Sequence, residues 1–315
     1  MTQVDLSFPC MGSTFRVLVA GGVDAENAAV AARTLLEGMD ESLSLFKPDS
    51  ELSLLNNDPR PVVPASTRLR DAVRAALWGA ERSDGLSDPT TTDAVIPVAT
   101  SRARIDSPLE EVLAAAPPRR PARPDPAARW KSVVVDDRRG AIRRQHHVKL
   151  DLGGSAKGFA ADRVAAFLAG RTRFAVDCAG DIRVGGPAAF VHPFEVVVEH
   201  PFDDRPAARL HLTGGAVATS GLFRHVWIAD GAAFNHLVDP STGTSAWTGL
   251  VQASAVAPTG LEAEALAKTA YLVGPLAARR VLAEHGGVLV DEAGRVEIVP
   301  GRGEAPLVAR IQWAA

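Results

Sequence analysis

Apolar positions recur along this chain with two different spacings. In TFRVLVA, residues 14–20, β-branched and aromatic residues run up to Gly21-Gly22, which predicts a strand and its stop. From Asp24 onward, AENAAVAARTLLEGMDESLSLF has helical spacing, with Val30, Leu35, Leu36, Met39 and Leu43 on one side. Asp24 suits the N-cap of that helix. A second helix is expected over Arg68 to Arg82, ending near Gly85. KSVVVDDRRGAIRR reads as a hairpin around Asp137–Gly140. A helix should run from Ser155 through Leu168, with Gly170 at its C′ position.

Further on, FAVDCAGDIRVGG is a strand leaving through a glycine-rich turn, and FEVVVEH, ARLHL and AVATS are short strands. HVWIADGAAFNHLVD is a hairpin with Asp230-Gly231 at its turn. Helices over Leu261–Leu272 and Leu276–Glu284 and a hairpin in GVLVDEAGRVEIV close the chain. Hairpins are frequent and strands do not alternate regularly with helices. The expected class is therefore α+β, with largely antiparallel sheets and flanking helices, not a doubly wound parallel fold.

PPRRPARPDP, residues 117–126, cannot hold regular structure, because proline fixes φ and lacks an amide donor. It reads as a solvated surface connector and not as a domain boundary.

Composition narrows the function classes. Hydrophobic residues make up 46% and charged residues 23% of the 315, an ordinary globular balance. A formal charge of −3 gives no electrostatic reason for nucleic acid or anionic lipid as a partner. Only Cys10 and Cys178 are present, read as reduced thiols. MTQVDLSFPCMGS lacks a basic start and an apolar core of signal-peptide length, and no segment approaches the ~20 apolar residues of a membrane span. The expectation is a cytoplasmic protein with no membrane insertion.

Chemistry concentrates in DLGGSAKGFAAD, residues 151–162. It lacks the spacing of GxGxxG and of GxxxxGK[ST]. Exposed glycine amides, a helix start and Lys157 nonetheless suit a phosphate, with Asp151 and Lys157 holding different parts of one ligand. A plain strand-to-helix turn is the alternative. The histidines show no metal-binding spacing, and His146-His147 read as surface residues. His236, in NHLVDPSTG, sits at a strand end where a side chain can face a cleft. Asp88, in DGLSDPTTT, reads locally as an Asx turn. Glu264 and Lys268 share a helix face, which read locally is a surface ion pair.

Taken in order, MGSTF (11–15), SLFKPDSELSLLN (44–56), DGLSDPT (84–90), DLGGSAKGFAADRV (151–164), VDCAGDI (176–182), AVATSG (216–221), NHLVDPSTG (235–243) and APTGLEAEALAKTAYLVG (257–274) resemble the ApbE family, the FAD:protein FMN transferases. The resemblance spans nearly the whole chain and implies that residues 1–315 form one intertwined unit. It implies an enzyme that splits FAD, attaches FMN through a phosphoester to a threonine of a target flavoprotein, and releases AMP. By the same resemblance, Asp151 and Lys157 hold FAD, and Met11, Phe46, Leu86, Ser87 and Asp88 line the flavin nucleotide. His236 assists removal of the acceptor hydroxyl's proton, a task that suits a neutral imidazole. The Gly154 carbonyl is implied as a ligand of Mg2+ beside the diphosphate.

The chain departs from the family where ADALAT, whose Asp and Thr side chains reach magnesium, is replaced by AEALAK. Glu264 can still ligate a hard cation, but Lys268 offers no lone pair. Either magnesium persists on Glu264, the Gly154 carbonyl, water and phosphates, or the Lys268 ammonium takes over part of its electrostatic role. Asp177 stands where asparagine is common, and Ala179 replaces a glycine. Two other functions fit the same motifs: an FAD pyrophosphatase, in which water replaces the threonine, and an FAD carrier or sensor that has lost turnover.

Overall fold

The computed structural model describes residues 3–22, 24–91, 107–222, 225–302 and 308–312, the last segment as backbone only. Its framework is an eight-stranded sheet built from β1 (Gln3–Cys10), β2 (Ser13–Ala20), β3 (Arg173–Cys178), β4 (Asp181–Gly185), β5 (Gly215–Gly221), β6 (Leu250–Ala257), β7 (Gly287–Asp291) and β8 (Val296–Val299). Their order across the sheet is their order along the chain, and every neighbouring pair is antiparallel. The helices are α1 (Ala25–Leu43), α2 (Glu51–Asn57), α3 (Thr67–Arg82), α4 (Leu109–Ala115), α5 (Ala156–Phe167), α6 (Gly260–Val273) and α7 (Pro275–Leu282). Strands and helices thus mix without βαβ alternation, as the α+β reading requires.

β6 lies deepest, and all eight residues of LVQASAVA are buried. A strand covered on both faces needs apolar or small side chains at every position, which this one supplies. One group of buried side chains joins β4–β7 to α6 and α7, and a second joins β1–β3 to α1, α3 and α5. α5 and α6 connect the two. A Cβ added at Gly158 would meet the Gly260 carbonyl oxygen at 2.4 Å, so the two helices touch backbone to backbone there. Asp162 of α5 then accepts from the Gly260 amide at 2.7 Å and the Leu261 amide at 2.9 Å. It thereby satisfies two of the donors that α6 leaves open at its start.

Three two-residue turns carry positive φ. Asp230 and Gly231 (50° and 76°) form the expected turn between the strands Val226–Ala229 and Ala232–Asn235. Ala179 and Gly180 (61° and 94°) join β3 to β4, and Met11 and Gly12 (49° and 71°) join β1 to β2.

Several expectations change. α1 buries Ala25, Ala28, Ala29, Ala32, Leu36, Met39 and Leu43, while Val30 is 50% exposed. Alanine forms most of its inner face, because the close approach of β1 and β2 favours small side chains. Asp24 occupies the N-cap position but makes no cap bond, and its carboxylate pairs with Arg171 instead. α5 ends with Leu168 as C-cap, and Gly170 lacks the positive φ of a C′ glycine. β1, α2, α4 and the strand Val308–Gln312 add to the elements expected from sequence.

The connector 117–126 is irregular but is stitched into the fold. The Arg120 amide donates to Trp247 O (2.8 Å), Ala122 N to Leu272 O (2.8 Å), and Ser241 N to Arg123 O (3.0 Å). It is largely exposed, as expected, and these bonds hold it beside the His236 loop.

Candidate active site

A cavity of about 560 Å³ opens where segments from across the chain meet. Met11 and Gly12 enter at the β1–β2 turn, Phe46 follows α1, and Leu86, Ser87 and Asp88 follow α3. Asp151, Gly154 and Lys157 come from the start of α5, His236 from the loop after Ala232–Asn235, and Glu264 and Lys268 from successive turns of α6. All eleven residues singled out from the sequence as ligand-binding, catalytic or metal-facing therefore line one space.

Each wall is held by backbone bonding. The Asp151 amide donates to Pro89 O at 2.8 Å, tying the glycine turn to the Asp88 loop. Asp151 Oδ1 accepts from the Gly153 amide at 2.8 Å. Asp88 is the expected Asx turn: its Oδ1 accepts from Thr90 N at 2.7 Å and from Thr90 Oγ1. Its Oδ2 is buried and accepts no hydrogen bond among the described residues. A buried acceptor without a protein donor, on a cavity wall, suits a ligand that brings the donor. Phe46, 65% exposed, offers its ring at the rim.

His236 sits between two pinned neighbours. Asn235 Nδ2 donates to Ala246 O at 3.0 Å, and Asn235 Oδ1 accepts from the Leu237 amide at 2.8 Å. Asp239 Oδ1 accepts from Arg123 N, Ser241 N and Ser241 Oγ at 2.8–3.1 Å. The imidazole meets the ring of His225 edge to face, with centroids 5.4 Å apart.

The charged groups form one set around the cavity. Lys157 Nζ lies 2.5 Å from Asp181 Oδ2, and Asp181 is 3% exposed. Burial opposes the Lys157 ammonium, but the Asp181 and Glu264 carboxylates outweigh it and hold its pKa above the usual lysine range. Glu264 Oε2 accepts from the Gly158 amide at 2.9 Å. Burial first, and the Asp181 charge second, push the Glu264 carboxyl up to about 7. Burial likewise raises Asp88 and Asp151 and lowers Lys268. Glu264 and Lys268 are thus no surface ion pair. α6 is buried around most of its circumference, and both side chains turn into the cavity.

The donor set does not fit a divalent cation. A Cβ added at Gly154 would lie 1.8 Å from Lys268 Nζ, so the ammonium rests against the backbone of that residue. A divalent ion about 4 Å from an ammonium is opposed by roughly 8 kcal/mol at an effective dielectric of 20. One Glu264 oxygen is already engaged by the Gly158 amide, and the Lys268 ammonium has no lone pair to offer.

Sequence reasoning did not single out Asp181, Thr219, Ser220, His225 or Trp227, which also line the cavity. Asp181 Oδ1 accepts from the Thr219 amide at 3.2 Å, and Thr219 Oγ1 lies 2.8 Å from the buried Ser254 Oγ. The signal for Asp181 and Thr219 was present in VDCAGDI and AVATSG, as matched strings without assigned roles.

Comparison with known proteins points the same way. The model of the ApbE family matches residues 11–290. An FAD:protein FMN transferase of Salmonella typhimurium is 30% identical over 88% of this chain and 80% of its own. One of Vibrio cholerae is 27% identical over 94% and 86%. The crystal structure of an ApbE protein from Thermotoga maritima superposes with a TM-score of 0.78 at 26% identity, covering 94% of this chain and 97% of that one. The flavin transferase ApbE of Vibrio cholerae gives 0.74 at 22% identity over 96% and 97%, a likeness of fold.

Proposed function

The chain belongs to the ApbE family, and from that premise we propose that it is an FAD:protein FMN transferase acting on a threonine of a target flavoprotein. In this reading the threonine oxygen attacks the FMN-side phosphorus of FAD. The bond from that phosphorus to the bridging oxygen breaks, and AMP leaves with it. His236 takes the hydroxyl proton, Asp151 and Lys157 hold FAD, and Met11, Phe46, Leu86, Ser87 and Asp88 surround the flavin nucleotide.

The observation that carries this reading is the convergence of Lys157, Asp88, Asp151 and His236 on one cavity. Lys157 balances phosphate charge. The Asn235 bonds on either side of His236 limit the loop's freedom, which favours a fixed direction for proton removal. Preorganised charge and positioning are the main help that phosphoryl transfers receive from proteins. A divalent cation bound beside the diphosphate would supply charge neutralisation there; the donor set here does not fit it, and no step is assigned to it.

The test is incubation of the protein with FAD and a flavoprotein bearing an exposed threonine. A fluorescent adduct that survives denaturation, with one AMP per adduct, supports the proposal. Free FMN without an adduct would identify a pyrophosphatase, and intact bound FAD with no AMP a carrier.

A further inference from the structure

We infer that the Lys268 ammonium is this chain's own counter-charge for the diphosphate of its substrate, in place of a divalent cation. The inference deepens the transferase reading and rests on it.

Lys268 projects from α6 one turn beyond Glu264, lines the cavity, and rests against Gly154 in the turn that opens α5. Lys157 enters the same space from α5. The two ammonium groups thus arrive from two different helices onto one glycine turn. Their circumstances differ. Lys157 is paired with Asp181, whereas Lys268 forms no salt bridge among the described residues. Burial disfavours this half-buried ammonium, and Glu264 and Asp151 offset that only from beyond salt-bridge distance, so an anion bound directly against it would be favoured. The bare backbone of Gly154 lets Nζ lie this close, and a side chain there would push the lysine tip aside. In the reaction, the Lys268 ammonium neutralises the AMP phosphate as the bond between phosphorus and bridging oxygen breaks. It acts as a charge and forms or breaks no bond, so no extra reactant is needed.

The experiment measures FAD affinity by flavin fluorescence, AMP release, and magnesium uptake by calorimetry, in excess EDTA and in magnesium. The wild type, Lys268→Met and Lys268→Arg are compared with the same flavoprotein acceptor. FAD affinity and AMP release of the wild type should be the same in both buffers, with no heat of magnesium binding to the apoprotein or its FAD complex. Lys268→Met should bind FAD about ten- to a hundredfold more weakly in EDTA, and Lys268→Arg should keep most of the affinity. A tenfold or larger loss in EDTA for the wild type, magnesium uptake, or a Lys268→Met variant that binds FAD like the wild type would overturn the inference. If adduct still forms in magnesium under those outcomes, the transferase reading survives. Failure of FAD to bind in either buffer would remove both.

Discussion

The ammonium of Lys157 lies 2.5 Å from the buried carboxylate of Asp181, joining the first turn of α5 to the start of β4 beneath the cavity floor. The two partners are unequal, because Asp181 is nearly inaccessible while the Lys157 side chain keeps 32% of its exposure. Lys157→Met strands a carboxylate in the interior and should destabilise the fold by about 3 kcal/mol. Asp181→Asn leaves an ammonium that reaches the cavity and should cost about 1–2 kcal/mol. Urea unfolding of both single variants and the double variant checks this. Costs that simply add would show that the pair is not coupled.

The α5–α6 crossing leaves no room for a methyl group. Gly158→Ala places a Cβ 2.4 Å from Gly260 O and 2.8 Å from Leu261 N, both backbone atoms. It should cost about 3 kcal/mol or more in thermal or urea denaturation, and disturb the cavity as well. Gly170→Ala meets nothing within 4 Å and should be neutral or stabilising by up to about 1 kcal/mol. Equal effects at the two sites would contradict the packing described.

Ala179 holds φ at 61° in the β3–β4 turn, where an L side chain is strained. Ala179→Gly should raise stability by about 1 kcal/mol, read from the urea midpoint at unchanged slope. A loss of stability would place the strain elsewhere.

Both cysteines are buried and unbridged. Burial raises the Cys10 thiol to about 12, and Cys178 shifts the same way. Because the folded value lies above the unfolded one, the thiol form is favoured in the native state. That contribution holds below pH 9 and is lost as pH rises from about 9 toward 12. Alkylation at pH 9 should therefore be slower in the native protein than in urea by two or more orders of magnitude. Comparable rates would mean that the sheet end carrying Cys10 opens readily.

His236→Ala should abolish flavin transfer yet leave FAD affinity close to that of the wild type. Asn235→Ala removes bonds to Ala246 and Leu237 and so loosens the loop without deleting the imidazole. It should lower kcat about ten- to a hundredfold while the pH profile keeps its shape. A His236→Ala variant that loses FAD would assign the residue to binding instead.

Much of this arrangement was legible in the sequence, for identifiable reasons. Turns were readable because Asp230-Gly231 and Asp137–Gly140 carry their own conformational instructions. The eleven site residues were legible through motifs spread along the chain, not through any local pattern. The inner face of α1 was not, because alanine is as common outside as inside and Val30 drew the apolar stripe the wrong way. Glu264 and Lys268 look like a surface pair at four-residue spacing until α6 is seen to be covered on nearly all sides. The exposed position of the connector 117–126 was legible but its anchoring was not, because that runs through backbone amides and carbonyls, which leave no trace in side-chain identity.

Ala20 and Arg173 are register partners on adjacent strands, so everything between them leaves the sheet and returns beside its point of departure. That excursion carries Phe46, Asp88, Asp151 and Lys157, whereas His236 and Lys268 hang from later strands. The walls bearing those four residues are thus one insertion between β2 and β3, locked onto the later half of the sheet by Asp162 and by the Gly158–Gly260 contact.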